Sequence, residues 1–226
     1  YVAAALLPAI VLLRYIYRHD TVETEPPGLL LQLLGLGVVS ALSAGVIEAL
    51  AQTALDRLVD PASPAYVVIL AFLVVALAEE GMKLFFLRRR TWREPAFNYR
   101  FDGVVYAVFV SLGFAAFENI KYVLSYGLSV AVPRALLAVP GHMSFAVFMG
   151  LFYGRAKLCE AYSYRRGMKR NLLTGYLVAV FLHGFYDTCA MIGSAVSTVV
   201  FLVFVGIMYF WVFRLLKRES SNDVPV

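Results

Sequence analysis

The chain has 226 residues, of which 61% are hydrophobic and only 15% charged, with a formal net charge of +5 and a mean hydropathy of +0.75. A surface bathed in water needs more charge than this, so the composition excludes an ordinary soluble enzyme and makes the bilayer the natural solvent. The basic residues stand between apolar runs, where an anionic lipid surface accounts for them, and no nucleic-acid partner is expected.

Seven apolar stretches are long enough to approach or cross the hydrocarbon core, at 1–17, 29–52, 65–87, 101–126, 133–154, 172–192 and 195–216. Pro26, Pro27, Gly28, Pro61, Pro64, Pro95 and Pro133 fall at or between their ends, where helix breakers belong. The pattern predicts an all-α, polytopic transmembrane helix bundle forming one domain over 1–226. The first apolar run follows Tyr1 with no basic segment ahead of it and is expected to be a span, not a cleavable signal. Cys159 lies in a basic loop and Cys189 in an apolar run, so no disulfide is expected.

Loop charge orients the bundle. Arg14 and Arg18 close the first span, Arg88, Arg89, Arg90, Arg93 and Arg100 follow the third, and Arg155, Lys157, Arg165, Arg166, Lys169 and Arg170 follow the fifth. Arg214, Lys217 and Arg218 follow the last. With seven spans all of these share one side, while the other carries Arg57 and Arg134, so the N-terminus is expected outside and the C-terminus in the cytoplasm.

Ionisable side chains inside the spans each cost roughly 2.5–3.5 kcal/mol even on the lenient insertion scale, and each therefore needs a reason. The third span carries Glu79, Glu80 and Lys83, the fourth Glu118, Asn119 and Lys121, the fifth His142, and the sixth His183 and Asp187. Helical spacing sets Glu79 over Lys83, Phe114 below Glu118 and Tyr122, and His183 on one face with Asp187. A single Glu–Lys pair would serve as a structural ion pair. The second carboxylate adds repulsion that a structural pair has no use for, whereas paired carboxylates suit general acid–base work. His183 and Asp187 can orient an imidazole or share a metal. Asp102 is expected to cap the fourth helix and Glu48 to sit at the interface, both outside the site.

In this order the residues resemble the PrsW family of intramembrane proteases, grouped with the CAAX-prenyl-protease-like and Abi membrane proteins. The resemblance covers most of the chain after the second span. Its elements are Glu79-Glu80-x-x-Lys83, the stretch from Asp102-Gly103 through Gly113-Phe114 to Phe117-Glu118-Asn119-x-x-Tyr122, then His142, and His183-Gly184-x-x-Asp187. It implies peptide-bond hydrolysis in or beside the membrane, with family members acting on membrane-anchored anti-sigma factors. In the wider group the first motif supplies a glutamate base and later His and Asn residues bind water or the oxyanion. By position Glu79 or Glu80 matches the base and His183 with Asp187 the last motif. Glu118 departs from the prenyl proteases, which carry a histidine there, and His142 is the candidate for the missing imidazole.

The expected catalytic set is therefore Glu79, Glu80, Glu118, His142, His183 and Asp187, with Lys83, Asn119 and Tyr122 as substrate or structural support. A metal-free mechanism is favoured. Zn²⁺ is the alternative, with His142, His183 and either Glu118 or Asp187 as ligands, and the absence of the H-E-x-x-H spacing weighs against it. The expected partners are a membrane-anchored protein substrate and the lipid bilayer, and the sequence leaves the oligomeric state open. A proton-coupled transporter or a non-catalytic scaffold are the competing classes, but no internal repeat supports a transporter.

Overall fold

The computed structural model describes all residues from 1 to 226 and contains seven helices long and apolar enough to cross a membrane. We label them α1 (Val2–His19), α2 (Pro27–Leu58), α3 (Pro64–Thr91), α4 (Asp102–Tyr126), α5 (Leu128–Ala161), α6 (Arg165–Ile192) and α7 (Ala195–Ser221). All seven expected spans are present. Most run past the apolar stretches read from sequence, since helical hydrogen bonding continues through polar ends once the apolar centre is fixed.

α4 is the central helix, and every residue from Asp102 to Ala115 is buried. Small residues let its neighbours come close. A Cβ on Gly37 of α2 would stand 2.1 Å from the Val110 carbonyl oxygen, and one on Gly113 of α4 would stand 2.2 Å from that of Leu34. On the other side, a Cβ on Gly103 would lie 2.6 Å from the Gly154 backbone nitrogen of α5. These contacts clamp α4 between α2 and α5 and fix the depth of every polar residue it carries.

Two helices are irregular where they approach the polar centre. α3 winds as a π-helix over Leu70–Ala76, immediately before the α-helical stretch Leu77–Thr91 that bears Glu79 and Glu80. α5 does the same over Arg134–Ala138, immediately before Val139–Ala161. The second segment has a local cause, because Pro140 has no N–H to give the carbonyl four residues earlier. Tyr209 of α7 supplies the donor, its hydroxyl lying 3.1 Å from Leu136 O and 2.9 Å from Leu137 O. In lipid such a repair is obligatory, since no water reaches an orphaned carbonyl.

The arginine-rich ends meet on one side of the bundle. Trp92 Nε1 donates to Glu160 at 2.8 Å, Arg100 Nη2 to Glu219 at 2.9 Å, and the Ser220 hydroxyl to His19 O. The chain's last residues are sewn onto the α3–α4 loop: Arg100 N donates to Val224 O at 2.9 Å and Val226 N to Asn98 O at 2.8 Å. Asp102 does not cap α4, contrary to the expectation. Its carboxylate turns back to accept from Asn98 N and Tyr99 N at 3.0 and 2.7 Å, while Asp223 Oδ1 accepts from Phe101 N at 2.8 Å. The loop before α4 offers its N–H groups to Asp102, and the folded tail is better placed to reach the helix start.

Candidate active site

Each polar residue of the spans sits where a helix turns its face to the bundle centre. Glu79, Glu80 and Lys83 share one side of α3, being three and four residues apart. Lys83 Nζ lies 2.8 Å from Glu80 Oε1, 3.2 Å from Glu79 Oε2 and 3.2 Å from His142 Nδ1. Its ammonium also stands 4.0 Å from the centre of the Phe114 ring, a cation–π contact from α4. Lys83 therefore does not snorkel to an interface. It is buried and bridges the two carboxylates from within, one positive charge between them.

His183 of α6 stands between three carboxylates. Its Nδ1 is 2.9 Å from Glu80 Oε1, and its Nε2 is 3.3 Å from Asp187 Oδ2 and 3.9 Å from Glu79 Oε2. Phe145 of α5 stacks on the imidazole with centroids 4.9 Å apart, which fixes the ring plane. His142 lies edge-on to His183 at 5.4 Å. Its backbone is held by Ser111 of α4, whose hydroxyl donates to His142 O at 2.9 Å.

A second group stands beside the first. Glu118 Oε2 is 3.1 Å from His142 Nε2 and 2.8 Å from Arg134 Nη2. Arg134 Nε donates to Asn119 Oδ1 at 2.8 Å, and Asn119 Nδ2 donates to Ala5 O of α1 at 2.7 Å. The guanidinium stacks on Tyr122 at 3.9 Å. Asn119 and Tyr122 thus support Arg134 and sit one step back from the histidines. Arg134 had been read from sequence only as a basic residue on the charge-poor side. Its helix starts at Leu128, not at Pro133, which carries it into the bundle.

A cavity of about 200 Å³ touches both groups. Glu79, Glu118, His142, His183 and Asp187 line it, whereas Glu80, fully buried, does not. Its remaining walls include Glu48, Lys121 and Met191, which lie toward the ends of α2, α4 and α6 opposite the arginine-rich side. Glu48, expected at the interface, is a cavity residue. Nothing in the sequence near Glu48 announced this, because its role depends on α2 packing beside α4.

One donor atom from each of Glu79, Glu80, His142 and His183 falls within a mutual distance of 4.8 Å. Two carboxylates and two imidazoles suit a borderline divalent ion such as Zn²⁺. Glu80 Oε2 is buried without a hydrogen-bond partner, so one donor is spare. The residues therefore fit a metal. The carboxylates so gathered come from the first motif, not from Glu118 or Asp187, and Lys83 Nζ contacts three of the four donors. An ion there would have to displace that ammonium.

Residues 25–214 match the family described as PrsW family intramembrane metalloprotease. Among curated relatives, a protein named Protease PrsW from Geobacillus kaustophilus is 38% identical over 186 residues, covering 82% of this chain and 77% of that protein. One of the same name from Oceanobacillus iheyensis is 32% identical over 98% of this chain and 97% of its own length. Another, from Bacillus subtilis, is 31% identical over 99% and 96%. No solved structure matches the chain.

Proposed function

The chain belongs to the PrsW family of intramembrane proteases, and on that premise we propose that it hydrolyses a peptide bond of a membrane-anchored protein by a glutamate-activated water. It is an integral, multi-pass membrane protease. The single observation that carries the mechanism is the convergence of Glu79, Glu80, His142 and His183, from three helices, within 4.8 Å beside a polar cavity.

Glu79 is the base in this reading, because it borders the cavity where water and substrate would meet and Glu80 does not. It takes a proton from water as the oxygen attacks the scissile carbonyl, and then returns a proton to the leaving amine. Glu80, packed against Lys83 and His183, sets the orientation of both. Without substrate the Nε2 edges of His142 and His183 are held by Glu118 and Asp187; in this reading substrate entry opens those contacts, and the two N–H groups turn to the water and the developing oxyanion. Glu118 and Arg134 fix His142 from its far side. A divalent ion held by Glu79, Glu80, His142 and His183 would polarise the carbonyl and acidify a bound water, but the residue roles above do not require one.

The cavity lies toward the side opposite the arginine clusters. If those clusters face the cytoplasm, as their loop distribution implies, cleavage falls in the outer part of the membrane. That supports a substrate of the anti-sigma-factor kind, a single-span protein cut on its outer side to begin a signalling cascade.

The test is cleavage of a membrane-anchored reporter by purified chain in nanodiscs. Glu79→Gln, Glu80→Gln, His142→Ala and His183→Ala should each lower turnover by about 10²-fold or more with the thermal midpoint preserved to within a few degrees. Full turnover by both glutamine variants would end the glutamate mechanism.

A further inference from the structure

Outside the catalytic centre a concavity of about 670 Å³ lies on the other face of α3, where it meets α6 at the arginine-rich side. Residues 81, 84, 85, 88, 89, 92 and 93 recur at helical spacing and form one stripe down α3. From the sequence, Arg88, Arg89 and Arg93 were read only as topology signals. In the fold they line one pocket with Trp92 at the top, Phe85 below them, and Gly81 with Tyr176 of α6 at the floor.

The arginines are free. Arg90, next to Arg89 in the chain but outside the pocket, pairs with Glu94 at 2.5 Å, and Glu160 is taken by Lys157 and Trp92. No carboxylate lies within ion-pair distance of Arg88, Arg89 or Arg93. The aromatic wall, in contrast, is fixed: Trp92 Nε1 donates to Glu160, and Lys157 Nζ donates to Trp92 O at 2.9 Å. Arg88 stands 5.5 Å over that indole. At the floor, the Tyr176 hydroxyl donates to Leu77 O at 3.0 Å, and a Cβ on Gly81 would already be 3.3 Å from that hydroxyl.

From Gly81 to Thr91 the helix rises by roughly 15 Å, with Trp92 and Arg93 in the turn that follows, from apolar groove to unpaired guanidinium groups. A charged top, an aromatic rim and an apolar floor on the surface of a membrane helix match an amphiphile with one anionic end. We propose that this groove binds an anionic phospholipid, its phosphate among Arg88, Arg89 and Arg93 and an acyl chain along Phe85 and Leu84 toward Gly81. A zwitterionic lipid carries a choline or amine that three arginines repel, whereas phosphate accepts from guanidinium in bidentate fashion. An acidic protein segment would match the charges but has no use for the apolar lower half.

The experiment is native mass spectrometry of the purified chain, incubated with equal amounts of phosphatidylglycerol and phosphatidylcholine of matched acyl chains. One variant carries Arg88→Gln, Arg89→Gln and Arg93→Gln. A control carries Arg165→Gln, Arg166→Gln and Arg170→Gln, the same loss of charge at the same end but outside the groove. The unmodified chain and the control should retain one phosphatidylglycerol with at least about tenfold preference, and the groove variant should lose that preference. If it does not fold, Arg89→Gln with Phe85→Ala carries the same comparison. An equal drop in groove variant and control would assign the effect to diffuse surface charge and overturn the site. Displacement of the lipid by millimolar inorganic phosphate, or one-for-one by a soluble glutamate-rich peptide, would overturn the lipid as its occupant.

Discussion

Arg134 and His142 share one oxygen of Glu118, with Arg134 Nη2 at 2.8 Å and His142 Nε2 at 3.1 Å. The histidine edge that faces away from Lys83 is thus oriented by a carboxylate that is itself held by an arginine. Replacing Arg134 by Gln should let Glu118 swing, lowering kcat by about tenfold or more with little change in KM, because transition-state alignment is lost and substrate binding is not. Arg134→Lys should restore part of the rate. A merely structural role would instead lower the thermal midpoint and leave the kcat of the folded fraction intact. In a double-mutant cycle, Arg134→Gln and Glu118→Gln should couple by about 1 kcal/mol.

Metal dependence follows from the cluster around Lys83. With the ammonium in contact with both glutamates and His142, activity is expected to survive prolonged exposure of the purified chain to a strong chelator, with no stoichiometric metal by elemental analysis. Activity lost to chelator and regained with Zn²⁺ would instead make Glu79, Glu80, His142 and His183 ligands. Lys83→Met would then raise metal affinity in isothermal titration, since the competing cation is gone.

The loop between α1 and α2 predicts a pH effect on stability. Burial raises Asp20 from 3.8 to about 6 and Glu25 from 4.5 to about 7, the latter despite the hydrogen bond it accepts from the Tyr106 hydroxyl. Both folded values exceed the unfolded ones, so the protonated forms favour the folded loop. The contribution is full below about pH 4 and is lost as pH rises through about 6 to 7. The protection factors for hydrogen exchange at residues 20–25, with the intrinsic base-catalysed rate divided out, should therefore fall between pH 5 and pH 8. Asp20→Asn with Glu25→Gln should flatten that dependence, and an unchanged profile in the double variant would refute the assignment.

Orientation is tested by labelling. Single cysteines introduced at Arg93 and at Arg166, in a chain with Cys159 and Cys189 replaced by serine, should resist an impermeant maleimide added to intact cells and react after permeabilisation. Reaction in intact cells would invert the bundle and move the proposed cleavage to the cytoplasmic side.

Hydropathy and proline placement made the seven spans legible, because the bilayer demands long apolar helices whatever their partners. The polar residues of the centre were legible for a related reason, since each is too costly in lipid to be incidental. Tertiary geometry was not. Glu79 and Glu80 look equivalent in sequence, yet only Glu79 borders the cavity, and that difference comes from how α3 is rotated against α6. Arg134 was read only as a loop charge because an apolar window starting at Pro133 put it at a helix tip, while a 3-10 turn and a short helix in front of it, Leu128–Val130 and Ala131–Pro133, carry it inward. Asp102 was misread as a cap because local sequence does not reveal that a tail more than a hundred residues away returns to the same loop.

The π-helical segments Leu70–Ala76 and Arg134–Ala138 bear on how chains of this kind can change length. A π turn holds one residue more than an α turn, so it can gain or shed that residue while the helix on either side keeps its facing. The same deletion in a regular stretch, such as between Lys83 and Thr91, rotates everything beyond it by about 100°. Single-residue insertions and deletions within the spans should therefore concentrate at 70–76 and 134–138. A variant lacking one residue of 70–76 should straighten α3 yet still present Glu79 and Glu80 to His183.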